Sequence, residues 1–314
     1  MTFEVRLIVL ALAAFAGGGL AGALAVSWFA RRVRGAGPRA RAAALMAVRL
    51  MPSVLSLAAA TLVGAAFLVF EPRDRIETTG VLLQSLAGVA VALIAAAGLR
   101  WLVVLHATRR LARRFLADAE PATFHGLRAP AFVISSPFPI VGVVGLFRPR
   151  LIVARSVIDA CTPEEMRVIL AHEQGHIDRR DNLRRALLMA SPDVLGWLPV
   201  SQRLQTAWHA STEEAADDLA GRSATGGRLH LAQALLKVAR LAPAGFETHD
   251  VPASALYRGG SVARRVRRLL AAERPDTPRR AAVRLALAAG ALAVSVVSLE
   301  LIYLLVEGAV HGLP

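Results

Sequence analysis

His172-Glu173-Gln174-Gly175-His176 is the stretch that decides how this chain is interpreted, because it carries the pattern H-E-x-x-H. Thr162-Pro163-Glu164-Glu165 precedes it and supplies an N-cap threonine, a proline at the first helical position and acids in the first turn. A helix is therefore predicted to run from there through the motif. Residues four apart share one face of a helix, so the two histidines can hold two corners of a tetrahedral zinc ion. Glu173 then lies where its carboxylate can take a proton from water on the metal. The alternative is a surface helix that carries two unrelated histidines.

A second helix is predicted in the acidic segment that runs from Trp208 to Ala220, where Glu213 and Asp217 are four residues apart and share a face. A zinc peptidase needs a third protein ligand and leaves its fourth position to water. We expect Glu213 to be that ligand. A register shifted by one residue would put Glu214 there instead; otherwise Glu214 belongs to a solvated face of the helix.

Two further acids are predicted to support the zinc histidines. A carboxylate that holds the ring nitrogen away from the metal orients the imidazole, and Asp217 is placed to do this. Asp181, five residues after His176, is the other candidate. His209, four residues before Glu213, is either a donor that stabilises the transition state or a polar surface histidine. An arginine is another candidate for that donor, but the sequence does not single one out.

The pattern H-E-Q-G-H-x-x-x-x-D, followed by E-x-x-A-D-x-x-A, resembles that of the membrane-embedded gluzincin metallopeptidases. The spacing to Asp181, the stretches rich in Pro, Gly and Val at residues 136–142 and 149–153, and the element Trp197-Leu198-Pro199 resemble the BlaR/MecR type in particular. The pattern resembles HtpX and the CAAX proteases more distantly. The resemblance implies an α+β zincin-like (minigluzincin) metalloprotease domain.

Two positions depart from the pattern of that family. Leu198 stands where an asparagine is usual, and Ala216 replaces a frequent cysteine. Neither position is a predicted zinc ligand, so the expected metal site is unaffected. The resemblance extends over roughly residues 7–305 and is sharp only between about residues 137 and 220.

Composition indicates a membrane protein. Hydrophobic residues make up 55% of the chain, and the mean hydropathy is +0.50. Four stretches are long enough to span a bilayer, at about residues 7–30, 46–70, 81–105 and 282–305. The first is predicted to be a retained helix rather than a signal peptide, because its apolar run is long and its basic cluster follows it. The predicted organisation is three spans in residues 1–105, a zinc peptidase domain in 106–280, and a fourth span with a short external tail in 281–314.

The distribution of arginines predicts the orientation in the membrane, because loops rich in Arg and Lys stay in the cytoplasm. Arginines follow the first and third spans and lie at the start of the fourth, whereas acids balance the arginines in the loop from Glu71 to Gly80. The clusters are Arg31, Arg32, Arg34, Arg39 and Arg41; Arg109, Arg110, Arg113 and Arg114; and Arg279, Arg280 and Arg284. We therefore expect a multi-pass protein of a bacterial cytoplasmic membrane, with both termini outside and the catalytic domain in the cytoplasm.

The formal net charge of +14 can also indicate nucleic-acid binding. Much of the excess lies beside the predicted spans, where topology and contact with anionic membrane lipid explain it, so no direct contact with nucleic acid is expected. The segment from Arg264 to Leu270 is predicted to be an amphipathic helix that lies on the inner leaflet or packs on the catalytic domain with a solvated arginine face. Cys161 is the only cysteine, which excludes an internal disulfide.

Three short strands rich in Val and Ile are predicted before the zinc helix, at residues 131–135, 139–146 and 150–154. In zincins the edge strand of such a sheet aligns an extended substrate through backbone hydrogen bonds; the alternative is that these strands only complete the core. A further helix is predicted at about residues 229–242. Residues 243–260 are predicted to form a loop that could cover the cleft.

The resemblance to the BlaR/MecR type implies regulated proteolysis. That family senses a signal outside the membrane and cleaves a transcriptional repressor, so the expected partner is a protein or peptide substrate, in particular a winged-helix repressor. The beta-lactam sensor of the family follows its last span, and we expect this chain to lack it because the sequence stops at Pro314. The alternatives are an HtpX-like membrane protease for misfolded proteins and a non-catalytic signalling scaffold that retains a zinc fold.

Overall fold

The computed structural model describes residues 1–33, 37–73, 78–241 and 262–271. These residues form nine α-helices, four β-strands and a 3₁₀ helix at Val194–Trp197. The helices are α1 (Phe3–Arg32), α2 (Pro38–Phe70), α3 (Val81–Leu116), α4 (Arg155–Ala160), α5 (Pro163–Arg179), α6 (Asp181–Met189), α7 (Pro199–Gly221), α8 (Gly227–Leu241) and α9 (Val262–Leu270). The strands are β1 (Glu120–Ala122), β2 (Ala131–Ile134), β3 (Val141–Val144) and β4 (Arg150–Ala154). The predicted fourth span, residues 282–305, and the predicted loop at 243–260 lie outside the described residues.

The described chain divides into two compact units. The first contains residues 1–100 and 188–208, and the second contains residues 101–187, 209–241 and 262–271. The segment that joins α6 to α7, with its 3₁₀ helix, therefore belongs to the unit of the long apolar helices. Both units draw residues from α3 and from α7.

The first unit is built on helices that are long and apolar enough to cross a membrane, α1, α2 and the first part of α3. α2 begins at Pro38 rather than near Met46, and α3 continues to Leu116 rather than ending near Leu105. Most of the arginines that were predicted to lie in the loops after the first and third spans therefore lie on the ends of these helices. α1 approaches α2 closely: a Cβ at Gly22 of α1 would lie 2.7 Å from the Cα of Pro52. Small residues at the interface allow membrane helices to pack in this way.

The second unit contains a four-stranded sheet in the order β1-β2-β4-β3. β2 and β4 are parallel, and the outer pairs are antiparallel, with Val141 opposite Val153 in the β3–β4 pair. The structure has strands at each of the three predicted positions, with slightly shorter bounds for two of them. It adds β1, which the sequence analysis missed because Glu120-Pro121-Ala122 shows neither alternation nor β-branched residues. β1 is a strand because it pairs with β2 at the sheet edge, where a proline is tolerated.

The core of the second unit lies between the sheet and two helices, α5 and α8. β4 contributes Leu151, Ile152 and Val153, which are fully buried, and α5 and α8 pack apolar side chains against them. Val168 and Ile169 come from α5, and Leu231 and Leu235 come from α8. A face of α5 is thereby fixed to the sheet, and this holds the H-E-x-x-H motif in the interior.

Candidate metal centre

Local sequence signals define both ends of α5, the helix that carries the H-E-x-x-H motif. The Thr162 side chain accepts a hydrogen bond from the Glu165 backbone N–H, and the Glu165 carboxylate accepts one from the Thr162 backbone N–H, which completes a capping box. The helix ends where Arg180 adopts a left-handed conformation with φ of 50°. Its backbone N–H then donates to the carbonyl oxygens of His176 and Ile177. This turn starts α6 at Asp181 and places the Asp181 side chain beside His176.

The structure brings the side chains of His172, His176 and Glu213 together, with all three buried. The Nε2 atoms of the two histidines are 3.2 Å apart. Glu213 Oε2 lies 3.7 Å from His172 Nε2, and Glu213 Oε1 lies 3.5 Å from His176 Nε2. Two nitrogens on a tetrahedral zinc ion, each at about 2.1 Å from the metal, are separated by about 3.4 Å. The spacing and the chemistry of this donor set therefore fit one zinc ion.

Each histidine is held from behind by a carboxylate. His172 Nδ1 lies 3.0 Å from Asp217 Oδ1, and His176 Nδ1 lies 2.7 Å from Asp181 Oδ2. Because an ionised carboxylate only accepts hydrogen bonds, His176 Nδ1 carries the proton toward Asp181, and Nε2 is the nitrogen left for a metal. His172 Nδ1 lies close to Asp217 without meeting hydrogen-bond geometry, and this contact favours the same arrangement. Asp217 and Asp181 thus lie where the sequence analysis expected supporting acids, and both rings present their Nε2 atoms to Glu213.

Gly175, between the two histidines, allows α7 to approach α5. A Cβ at this position would lie 3.0 Å from Leu219 Cδ2 and 3.3 Å from Arg179 Nη1. The Cα of Ala216 on α7 is only 3.8 Å from the same point. A Cβ at this position would displace the ends of these two side chains, and the Ala216 backbone would remain at ordinary van der Waals distance.

Arg265 is a residue of this site that the sequence analysis did not identify. It lies on α9 and is 2% exposed. Its Nε and Nη2 donate to the two carboxylate oxygens of Asp217 at 3.0 and 2.6 Å, and its Nη1 lies 3.2 Å from Glu213 Oε2. Nη2 also lies 3.5 Å from His172 Nε2. The guanidinium therefore compensates the two buried acids of α7.

The arginine-rich segment was expected to pack with a solvated arginine face, and only part of it does. Arg264 and Arg267 are exposed, whereas Arg265 shares the buried face of α9 with Val262 and Leu269. The spacing of three and four residues from those apolar positions was a usable signal, since it puts an arginine on the helix face that packs against the core.

Glu214 and Asp218 lie on a neighbouring face of α7 and are bound by a different arginine. Arg268 Nη2 donates to both carboxylate oxygens of Asp218 at 2.7 and 2.8 Å, and its Nε lies 3.9 Å from Glu214 Oε2. The structure therefore brings Glu213, rather than the alternative Glu214, to the histidine pair. His209, one turn before Glu213, is half-buried. Burial would raise the pKa of Glu213, but the charges of His176 and Arg265 lower it, and His209 adds to the lowering.

The Glu173 carboxylate is buried next to this cluster, and neither oxygen has a hydrogen-bond partner in the part of the chain that the structure describes. Burial raises the pKa of Glu173 to about 8, although the charge of His176 opposes the rise. A divalent cation in the cluster would oppose it further. An acid in this environment can hold and release a proton close to neutral pH.

The electrostatics of the histidines suit metal binding. Burial lowers the pKa of His172 to about 4, so its imidazole is neutral at neutral pH. Burial alone would also lower the pKa of His176, but Glu213 and the hydrogen bond to Asp181 outweigh it and raise that pKa. Below this pKa, His176 Nε2 also carries a proton, which faces the Glu213 carboxylate. A metal ion bound by Nε2 would require this proton to leave, so a proton and a metal ion compete for the nitrogen.

A cavity of about 290 Å³ lies beside His176. The edge strand β3 and the loop that follows it form one wall, and the end of α5 and the start of α6 form the other. Its apolar lining includes Val143, Leu146, Phe147, Pro149 and Ile177. On the rim, the Asn182 side-chain amide donates to the carbonyl oxygens of Val143 and Gly145 at 2.9 and 3.2 Å. The cavity connects a metal-site histidine to the sheet edge.

Two histidines and a glutamate on an H-E-x-x-H helix, a third metal ligand from a later helix and a small adjoining sheet define the class of zincin-like metallopeptidases. Residues 105–272 match the sequence model of Peptidase family M48, and this is more than half of the chain. The chain belongs to Peptidase family M48. No curated protein matches it. The predictions of a zinc metalloprotease and of zinc as its cofactor are confirmed by this family and by the His-His-Glu cluster.

Proposed function

We propose that the chain hydrolyses peptide bonds at the cluster on α5 and α7, with His172, His176 and Glu213 as the zinc ligands and Glu173 as the general base. The observation that carries this proposal is the buried Glu173 carboxylate, which has no hydrogen-bond partner within the described residues although it lies beside three ligand side chains. An unsatisfied buried carboxylate is unfavourable for folding, and general-base chemistry gives it a use.

Zinc, when bound, acts as a Lewis acid that polarises the scissile carbonyl and increases the acidity of water. Glu173 accepts the proton of the attacking water and later delivers it to the leaving amine. Asp217 and Asp181 hold the imidazole rings with Nε2 toward the ligand cluster. Arg265 acts as a positioning residue, because it fixes the carboxylates of Asp217 and Glu213. The edge strand β3, beside the cavity, is where an extended peptide would align.

The test of the catalytic proposal is Glu173→Ala in the full-length protein in detergent or vesicles, with zinc content and cleavage of an unfolded protein measured together. The variant is expected to retain zinc and to lose cleavage. Glu164→Ala is the matched control, since Glu164 is an exposed acid at the start of the same helix. If Glu173→Ala cleaves as fast as the parent, then Glu173 is not the base.

For the biological substrate we propose a cytoplasmic transcriptional repressor, of the winged-helix kind that a BlaR/MecR-type protease would cleave. Comparison of protein termini between cells with the parent and cells with Glu173→Ala tests this. A single new terminus in a DNA-binding protein, lost in the variant, supports the proposal. Many lost termini in misfolded membrane proteins would support the HtpX-like role instead. Identical termini in a chain that binds zinc would point to a non-catalytic scaffold.

The proposed placement is a bacterial cytoplasmic membrane with four spans, a catalytic domain at residues 106–280 in the cytoplasm and both termini outside. Arginines on the C-terminal ends of α1 and α3 and on the N-terminal end of α2 support it, because Arg and Lys are enriched on the cytoplasmic side. Reporter fusions at residue 78, between α2 and α3, and at residue 118, after α3, should report opposite sides of the membrane. Reports from the same side would refute this topology.

A further inference from the structure

The loop between β3 and β4 presents an aromatic side chain that is followed by two cations. Phe147 is 63% exposed, and Arg148 and Arg150 beside it are also exposed. A phenylalanine in this state loses the stabilisation that burial gives, and the described part of the chain leaves most of its ring uncovered. An exposed aromatic residue with arginines beside it suits the boundary between acyl chains and anionic headgroups.

Phe147 contacts α3 through Trp101. The ring centroids of the two residues are 6.3 Å apart in an edge arrangement. Around Trp101, α3 exposes Leu99, Leu102 and Val103, each by more than half of its surface. Arginines follow on the same helix at Arg109, Arg110, Arg113 and Arg114. On a membrane-capable helix, a tryptophan between exposed aliphatic residues and a basic cluster marks the level of the bilayer interface.

The sheet topology puts this loop at one defined end of the sheet. The loop precedes β4, and β4 runs parallel to β2, so the loop lies at the end where β2 begins. Ser135, which follows β2 and is exposed, lies at the opposite end. α3 continues from Trp101 to Leu116, about 22 Å at 1.5 Å per residue. The Phe147–Trp101 contact places the loop end of the sheet beside the interfacial segment of α3, and Ser135 at the other end serves as the comparison position.

We propose that the loop Gly145–Pro149 inserts into the lipid–water interface of the bilayer that α3 crosses, with Phe147 among the upper acyl carbons and Arg148 and Arg150 at anionic headgroups. The same loop forms a wall of the cavity beside His176, through Leu146, Phe147 and Pro149. The cavity therefore opens at the membrane surface. The consequence for substrates rests on the proposed peptidase function: the favoured substrates are protein segments held close to the bilayer.

The insertion is tested without any assay of proteolysis. Single cysteines are introduced as Phe147→Cys, Arg148→Cys and Ser135→Cys in full-length Cys161→Ser protein, labelled with bimane and reconstituted into phosphatidylcholine–phosphatidylglycerol vesicles. Nitroxide carried near the headgroup is expected to quench positions 147 and 148 several-fold more than position 135. Arg148→Cys leaves the Phe147–Trp101 contact intact, so a folding defect of Phe147→Cys does not remove the test. Equal quenching at all three positions would refute insertion.

The consequence for substrates is tested separately with one peptide in two forms, free and tethered to the same vesicles by an acyl chain. The parent is expected to cleave the tethered form several-fold faster at equal bulk concentration, and Phe147→Ser is expected to lose most of that preference. If quenching shows insertion but both forms are cleaved equally, the preference for membrane-proximal segments is refuted. If Glu173→Ala leaves cleavage of both forms unchanged, it is the proposed peptidase function that fails.

Discussion

Two buried arginines, one in each unit, show two different uses of a buried charge. Arg265 on α9 is bound by the carboxylates of Asp217 and Glu213, and the first of these bonds is bidentate. Arg49 on α2 donates to Asp193 Oδ2 at 2.8 Å and to Ser201 Oγ at 3.0 Å, and it is 1% exposed. Within the described residues, Arg49 Nη2 and Asp193 Oδ1 have no hydrogen-bond partner.

The different partners of the two arginines indicate different roles: Arg265 belongs to the metal site, whereas Arg49 fixes the packing of one element on another. A buried ion pair stabilises a protein only when its remaining hydrogen-bonding groups are satisfied, because desolvation offsets the Coulomb attraction. Arg265 compensates the negative charges of Asp217 and Glu213 on α7, which a metal site needs to attract its cation. Arg49 instead joins α2 to the segment before α7 and to the first turn of α7, because Asp193 and Ser201 are its partners. Changes near Arg265 should therefore affect zinc and activity, and changes near Arg49 should affect stability alone.

The largest effect is expected for Glu213→Gln, which removes the charge of the third ligand. Zinc content should fall to near zero, and activity should fall by about 10³-fold or more, since a metal site with two neutral ligands has little affinity for the ion. Metal analysis together with peptide cleavage measures both. Glu214→Gln on the adjacent face is the matched control and should keep zinc and activity. Retention of zinc by Glu213→Gln and its loss in Glu214→Gln would reverse the ligand assignment.

Arg265→Met comes next, because it leaves two buried carboxylates without their cation. The metal-free protein should lose about 3–5 kcal/mol of stability, the range for breaking one side of a buried pair. Zinc should recover part of this loss, since the ion supplies positive charge to Glu213. Chemical denaturation with and without zinc measures the difference. Arg264→Met, an exposed arginine on the same helix, should change stability by less than about 0.5 kcal/mol. An equal loss with and without zinc would mean that Arg265 only supports packing.

Asp181→Asn should have a moderate effect that stays within the zinc site. The amide keeps the size of the side chain but weakens the hold on His176 Nδ1, so zinc affinity should fall by about 10- to 100-fold. Competition with a chelator of known affinity measures this. Asp178→Asn, an exposed acid on α5, is the control and should leave the affinity unchanged. An unchanged affinity in Asp181→Asn would show that the ring of His176 is oriented by other contacts.

The contrast between the two arginines also shows which parts of the molecule local sequence could predict. α5, Glu213 and Asp217 were predictable because capping residues and i,i+4 spacing are local signals. The strands β2, β3 and β4 were predictable from their Val and Ile runs. The spacing within α9 indicates that Arg265 lies on the buried face, but its partner Asp217 is 48 residues away and the local sequence does not say that this face meets α7. Arg49 and Asp193, 144 residues apart, could not be paired for the same reason.

The smallest effect is expected for the double variant Arg49→Met with Asp193→Leu. This variant tests most directly whether Arg49, unlike Arg265, serves only packing. Each single change should destabilise the protein by about 3–5 kcal/mol, because it leaves an uncompensated buried charge. The double change removes both charges together with the unsatisfied Nη2 and Oδ1 atoms, so its net effect should be close to zero or stabilising. Zinc content and cleavage should stay at the parental level in the double variant, since neither residue contacts the metal cluster in the described structure.

A double variant that is as unstable as the two single changes combined would mean that the pair contributes no coupling energy. One that is stable but inactive would mean that Arg49, like Arg265, serves the chemistry rather than the packing.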